Sequence, residues 1–250
     1  MAEAQEYHLA DLYGGAMKVL IPKGFTNIGQ IYPIPDNQEI FRSTKTKTNI
    51  VIELVERLQP GDYNLPQEDL ARISTQTPGQ YPVTHSETTI EDFKTVLCHI
   101  HDICAANKDK YEILDPPKPY PVLLIPAPAY TCQVLIRSKI RVAAPADGAS
   151  PGSGSVIASG SVSGAGESGS ATSSTSAAFT ERETTGTCHF FLVRLAQFGT
   201  DILVHINVPH DDLEESGGPG AIAREELHAH QIMAEMMRSL GVLDYGLFGN

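Results

Sequence analysis

The stretch from Thr187 to Pro209 constrains the fold most. It reads as two strands joined by a tight connection at Gln197 to Thr200. In the first strand, His189, Phe191, Val193 and Leu195 share one face, and Cys188, Phe190 and Leu192 share the other. Both faces are apolar, as in a central strand covered on both sides. In the second, Ile202, Val204, Ile206 and Val208 alternate with Leu203, His205 and Asn207, and Pro209 ends the run. A short connection makes the pair antiparallel. The rest of the chain must extend this sheet and supply layers for its faces.

Two segments have helical periodicity. Thr88 and Glu91 form a T-x-x-E capping box, and Ile90, Phe93, Leu97, Ile100 and Cys104 then recur on one face, with an end expected near Asn107. The second runs from Ile222 to Leu240 and stops before Gly241. A short helix can also be placed near Gln67 to Ile73. Further strands are expected at Tyr7–Ala10, Met17–Ile21, Gln38–Arg42, Tyr120–Ile125 and Cys132–Val142. Residues 50–58 are ambiguous: the β-branched start favours a strand, whereas Glu53, Glu56 and Arg57 would suit a helix. Pro116, Pro117 and Pro119 read as a connector, and His210 to Gly220 as an acidic loop. Leu243, Tyr245, Leu247 and Phe248 in the tail are expected to dock. Strands joined by short turns, with helices on their faces, make an α+β fold built on an antiparallel sheet.

The chain of 250 residues is long enough for one domain with a real core. From Ala143 to Ala178 nearly every residue is Gly, Ala, Ser, Thr or Pro. Such a segment cannot bury enough apolar surface to offset its ordering entropy. The expectation is a single domain over 1–250, interrupted by a disordered insertion at 143–185. Acidic residues outnumber basic ones, 30 to 18, for a formal charge of -12. That charge disfavours nucleic acid and favours a basic partner surface. Cys98, Cys104, Cys132 and Cys188 form no CxxC pair, and four in a chain this long do not make a disulfide scaffold. The N-terminus lacks a signal core, and no apolar run reaches membrane-spanning length. A nuclear and cytoplasmic monomer that uses no membrane is expected.

Several constellations can be weighed and set aside. Cys98-His99-x-His101-x-x-Cys104 looks like a metal site, but residues six apart on a helix rise about 9 Å, too far for two thiolates on one zinc. Cys104 falls on the apolar helix face and Cys98 on the polar side. Glu225 and His228 have a Glu-x-x-His spacing without the second pair that a di-iron site needs, so a solvated face is expected. Gly148-Ala149-Ser150-Pro151-Gly152 matches a nucleophile elbow only in pattern, within low-complexity sequence. No phosphate-binding P-loop motif occurs. Neither a metal, nor a cofactor, nor an enzymatic activity is expected.

One turn carries functional promise. Pro35-Asp36-Asn37-Gln38-Glu39 combines a proline with Asx side chains that bond their own backbone, and Ile40 and Phe41 restart a strand. The whole segment LYGGAMKVLIPKGF, from Leu12 to Phe25, together with PDNQEIF, from Pro35 to Phe41, closely resembles the Ran guanine-nucleotide release factors of the Mog family. Ile50 to Glu56 resembles that family's apolar–acidic strand, and Phe198 to Pro209 its late "TD-apolar-strand-NxP" signature. The resemblance extends over residues 7–142 and 186–249; the Ser/Gly insertion and the Pro116 region depart from it. It implies a strand at 50–58 and an antiparallel sheet between helices, a fold shared with an extrinsic subunit of the photosystem oxygen-evolving complex. It also implies a regulator that binds the small GTPase Ran and promotes nucleotide release in support of nuclear transport. The candidate partner-binding residues are Asp36, Gln38, Glu39, Glu53 and Glu56. As a strand, 50–58 would send Glu53 and Glu56 to opposite faces. The alternative is an adaptor of the same fold, without effect on nucleotide.

Overall fold

The computed structural model describes residues 5–59, 61–63, 65–69, 87–143 and 179–248. In chain order the elements are β1 (Tyr7–Leu12), β2 (Met17–Pro22), β3 (Phe25–Asn27), β4 (Gln38–Ser43), β5 (Asn49–Glu56), α1 (Glu87–Asn107), β6 (Lys110–Pro119), β7 (Ala129–Ala143), β8 (Phe179–Leu195), β9 (Thr200–Pro209), α2 (His210–Ser216), α3 (Ala221–Ser239) and β10 (Gly241–Val242). The strands form a seven-stranded sheet in the order β3-β4-β5-β9-β8-β7-β6 and a three-stranded sheet in the order β1-β2-β10. The fold is α+β. The first two strands therefore do not extend the main sheet; they form a smaller one of their own.

The hairpin β8–β9 lies at the middle of the large sheet, as its two apolar faces require. On one face, Phe191, Val193, Leu195, Ile202, Val204, Ile206 and Val208 pack with Met17, Val19 and Ile21 of β2 and with Ile232, Met233 and Met236 of α3. On the other, Phe190, Leu192 and Leu203 pack with Phe93, Leu97, Ile100 and Cys104 of α1. Residues 50–58 resolve as a strand over Asn49–Glu56, paired along its length with β9. The β-branched run outweighs the helical charge spacing because Ile50 and Ile52 are drawn into the core.

Several expectations are corrected. The proline-rich connector is the edge strand β6, and the strand expected at Tyr120–Ile125 is absent there. An edge strand tolerates proline because one row of its backbone groups needs no partner. The β6–β7 register shifts between Ile113 and Asp115 and again between Asp115 and Lys118, where the prolines fall. The loop at 210–220 contains α2. Cys98 is not on a polar side: Thr95 to Ile100 are buried without a break, so this part of α1 has no solvated face. Burial also pushes the Cys104 thiol up to about 12, with the Asp109 charge adding to it. Tyr245 and Phe248 dock on Phe198, at ring distances of 5.0 and 5.5 Å, whereas Leu243 is 61% exposed. Of the expected insertion, Ala143 and Phe179–Thr185 lie in strands, and 144–178 lie outside the described residues. Gln67 to Asp69 are helical, while the rest of that expected helix and the side chain of Thr88 lie outside the description.

Polar side chains hold the layers in register. Arg194, 3% exposed, stands opposite Asp201 in the β8–β9 hairpin. Its Nε donates to Asp201 Oδ1 at 3.3 Å, its Nη1 pairs with Asp92 of α1, and its Nη2 donates to Leu58 O at 2.7 Å. Tyr130 donates to Asp92, and His99 Nε2 lies 3.2 Å from Asp201 Oδ2. On the opposite face of the sheet, Glu225 of α3 does not lie on the solvated face expected for it. Its Oε1 accepts from Thr46 Oγ1 at 2.8 Å and Thr48 Oγ1 at 2.6 Å, and His228 Nδ1 lies 3.8 Å from Oε2. Burial opposes its ionisation, but His228, Thr48 and Thr46 outweigh burial and bring its pKa down to about 2.

Removing one partner from a buried ion pair costs about 3–5 kcal/mol, because the remaining charge is stranded. Arg194→Ala should lower the urea unfolding midpoint accordingly; an unchanged midpoint would refute the structural role. Glu225 has a second consequence. Its folded pKa lies below the ordinary carboxyl value of 4.5, so its contribution is complete above pH 4.5 and disappears as pH falls toward 2. The shift corresponds to about 3 kcal/mol. The stability gap between the wild type and Glu225→Gln should close over that window when urea unfolding is measured at each pH.

Candidate functional site

The candidate site begins with the turn that enters β4. The Gln38 N–H donates to Pro35 O at 3.0 Å, closing the turn that the Pro–Asx sequence encodes. Asn37 then fastens the turn to β5. The Leu54 N–H donates to Asn37 O at 2.9 Å, and Asn37 Nδ2 donates to Leu54 O at 3.0 Å. The β4–β5 register sets Gln38 opposite Glu53 and Glu39 opposite Ile52. Strand alternation therefore divides the acidic set. Gln38 and Glu53 share the face that packs on α1, while Glu39 and Glu56 take the face of β2 and α3. The structure brings Asp36, Gln38 and Glu53 to one corner and leaves Glu56 at the end of β5.

The carboxylates have different local roles. Glu53 Oε1 accepts from Gln38 Nε2 at 2.9 Å and from Asn37 Nδ2 at 3.3 Å. Glu39 is engaged internally: Oε1 accepts the Tyr13 N–H at 2.9 Å, and Oε2 accepts Asn27 Nδ2 at 3.0 Å. Asp36 and Glu56 are exposed. Among the described residues none of these four carboxylates has an ion-pair partner. The cluster carries net negative charge held by neutral amides, which orient it without cancelling it.

Tyr13 is the residue that sequence reasoning missed. Its hydroxyl lies 3.1 Å from Asn37 O and 2.9 Å from Ile52 O, so it bridges the turn and β5. Burial, with the charges of Glu39 and Glu53, raises the pKa of its phenol. Its φ of 48° is left-handed, uncommon for a non-glycine residue. Gly14 and Gly15 continue the left-handed path with φ of 66° and 92° and carry the chain into β2 without a Cβ penalty. The available signal was the LYGG segment itself, a tyrosine directly before a Gly-Gly turn.

A profile of the family described as "Ran-interacting Mog1 protein" matches residues 10–209. The chain belongs to this family. Over 45 residues it is 42% identical to the Ran guanine nucleotide release factor of Danio rerio and 38% identical to that of Homo sapiens. It is 36% identical over 53 residues to a probable Ran guanine nucleotide release factor of Dictyostelium discoideum. These alignments take in 18%, 18% and 21% of this chain and span 25%, 24% and 27% of the respective relatives. The crystal structure of the Saccharomyces cerevisiae Ran-binding protein Mog1p superposes with a TM-score of 0.53 at 19% identity. A Mog1 point mutant superposes at 0.54 and 20%. Each superposition covers 98% of this chain and the whole of the other, which places the fold. Among the described residues no cluster of three or more His, Cys, Asp or Glu is arranged to hold a metal, and no helix is long and apolar enough to cross a membrane.

The site geometry separates a brace from a display surface. Glu39→Ala strands the Tyr13 N–H and the Asn27 amide, and should cost about 1–3 kcal/mol. Asp36→Ala should stay within about 0.5 kcal/mol, as exposed substitutions usually do. Chemical denaturation of the two variants checks the contrast, and equal stabilities would remove the brace.

Proposed function

We propose that this protein binds the GTPase Ran and promotes release of its guanine nucleotide by stabilising the nucleotide-free form. The observation that carries the reading is the uncompensated acidic corner formed by Asp36 and Glu53, with Glu56 beyond it, on the segment that resembles the release factors. Family membership and the Ran-related names of its relatives support it. A regulator that binds the nucleotide-free GTPase more tightly must weaken nucleotide binding by the same factor. A GTPase holds phosphate with a lysine and Mg²⁺. Carboxylates that attract such a lysine, or repel phosphate, loosen that grip. Asp36, Glu53 and Glu56 supply the contacts, Gln38 orients Glu53, and Glu39 holds the turn in place through Tyr13. The protein acts as a regulator and not as an enzyme, in the nucleus and cytoplasm, in support of protein transport.

The test is binding to purified Ran loaded with GTP, loaded with GDP, or free of nucleotide, together with a nucleotide-release assay. The nucleotide-free form should bind most tightly. Asp36→Lys should remain folded by circular dichroism and weaken that complex about tenfold, or about 1.4 kcal/mol. It should slow nucleotide release in proportion, and raised salt should weaken the wild-type complex as exposed charges are screened. Tight binding that leaves nucleotide release unchanged would favour the adaptor reading. Wild-type affinity in Asp36→Lys would remove this acidic corner from the interface.

A further inference from the structure

The end of β5 holds a feature outside the acidic turn. Leu54, Glu56, Phe198, Gly199, Leu247 and Phe248 line a shallow cavity of about 390 Å³. Glu56 stands opposite Thr200 in the β5–β9 ladder, and the Arg57 N–H donates to Gly199 O at 2.8 Å, so paired backbone fixes one wall. The other wall belongs to the tail. Phe198, Tyr245 and Phe248 form a three-ring cluster with centroid distances of 5.0, 5.5 and 6.0 Å. Leu54, Phe198, Leu247 and Phe248 are each only partly buried against the core beneath. Glu56 is exposed at the rim, and among the described residues its carboxylate has no partner.

We propose that this cavity receives one lysine or arginine side chain of the protein partner, with the aliphatic stem against Leu54, Leu247 and Phe248 and the cationic head at Glu56. The proposal rests on the Ran reading for the partner's identity and adds a second subsite to the acidic corner. The chemistry of the walls selects this occupant. Lysine and arginine lay their stems on apolar surface while their heads stay at a polar group. Aromatic rings beside the head add a favourable electrostatic contribution. An apolar side chain in the same place would strip water from Glu56 and return nothing to it. An anionic side chain would be repelled by Glu56 itself and by the net negative charge of the chain. The cavity and the acidic turn lie at the same end of the β4–β5 pair, joined by the reciprocal Asn37–Leu54 hydrogen bonds.

The experiment measures the affinity of nucleotide-free Ran for wild type, Glu56→Gln, Phe248→Ala and the double variant. Melting temperature is recorded for each, and Phe248→Leu replaces Phe248→Ala if the latter melts more than about 5 °C lower. Each single change should weaken binding at least about fivefold, and the double variant should fall short of the product of the two losses, because both remove contacts to the same side chain. Single losses below that size, or fully multiplicative losses, overturn the proposal. If Asp36→Lys weakens Ran while the cavity variants do not, this subsite fails and the Ran reading stands. If wild type does not bind Ran in any state, the Ran reading fails, and N-acetyl-arginine amide decides the subsite by amide NMR titration. Shifts at Gly199 and Thr200 that vanish in Glu56→Gln, and that N-acetyl-norleucine amide does not produce, support the subsite; their absence overturns it.

Discussion

The structure depends on a guanidinium that has been taken out of water. Arg194 sits in β8, beside the middle strand of the large sheet, and desolvation of its charge is tolerable only because Asp92, Asp201 and the Leu58 carbonyl surround it. A buried ion pair of this kind is weak evidence for added stability, since apolar packing could do as well. Its strength lies in geometry. Asp201 is the cross-strand neighbour of Arg194, so one contact is fixed by the hairpin alone. Asp92 comes from α1, and Leu58, just past β5, supplies the carbonyl. A helix docked one turn out of place would strand a carboxylate and a guanidinium together. The network thus makes one placement of α1 far better than its neighbours. The opposite face reaches α3 by other means, through apolar packing and the Glu225 contacts to Thr46 and Thr48.

The acidic turn inherits that order through a second device. Glu39 and Tyr13 join the small sheet to the large one just where the LYGG and PDNQE segments meet in space. LYGG and PDNQE lie more than twenty residues apart, and their pairing has a direct physical cause. The glycines let the backbone of Tyr13 turn left-handed and offer its N–H to Glu39, while the phenol closes on Asn37 and Ile52. A carboxylate in this position is a structural acceptor. The charges proposed to meet a partner are its neighbours, Asp36 on the turn and Glu53 and Glu56 on β5.

The centre of the fold was legible in the sequence because the β8–β9 hairpin alternates cleanly on both faces and α3 has a single apolar stripe. The periphery was harder. Prolines read as a break in β6 because sequence does not reveal which strand will lie at the sheet edge. Cys98 looked polar-facing because helical periodicity assumes one buried side, whereas α1 is enclosed from Thr95 to Ile100. Glu225 looked solvated because its acceptors come from Thr46 and Thr48, nearly 180 residues earlier in the chain. The candidate site was legible as composition and only partly as geometry. Strand alternation already implied that Glu53 and Glu56 diverge. The cross-strand register that joins Gln38 to Glu53 and turns Glu39 inward appears only once β4 and β5 are paired.

Charge and order at the acidic corner reinforce each other. Gathering carboxylates raises the energy of the free protein through mutual repulsion, and salt and water relieve only part of it. Neutral donors such as the Asn37 and Gln38 amides can hold Glu53 in one orientation without discharging it. An internal lysine would have stabilised the corner more, but it would also have competed with any basic partner for the same oxygens. The arrangement leaves the carboxylate oxygens open to an external cation. Pre-ordering the acceptors means that little conformational entropy remains to be lost when that cation arrives. The formal charge of -12 extends the same logic to long range, because an acidic protein draws a basic surface toward it before the specific contacts form.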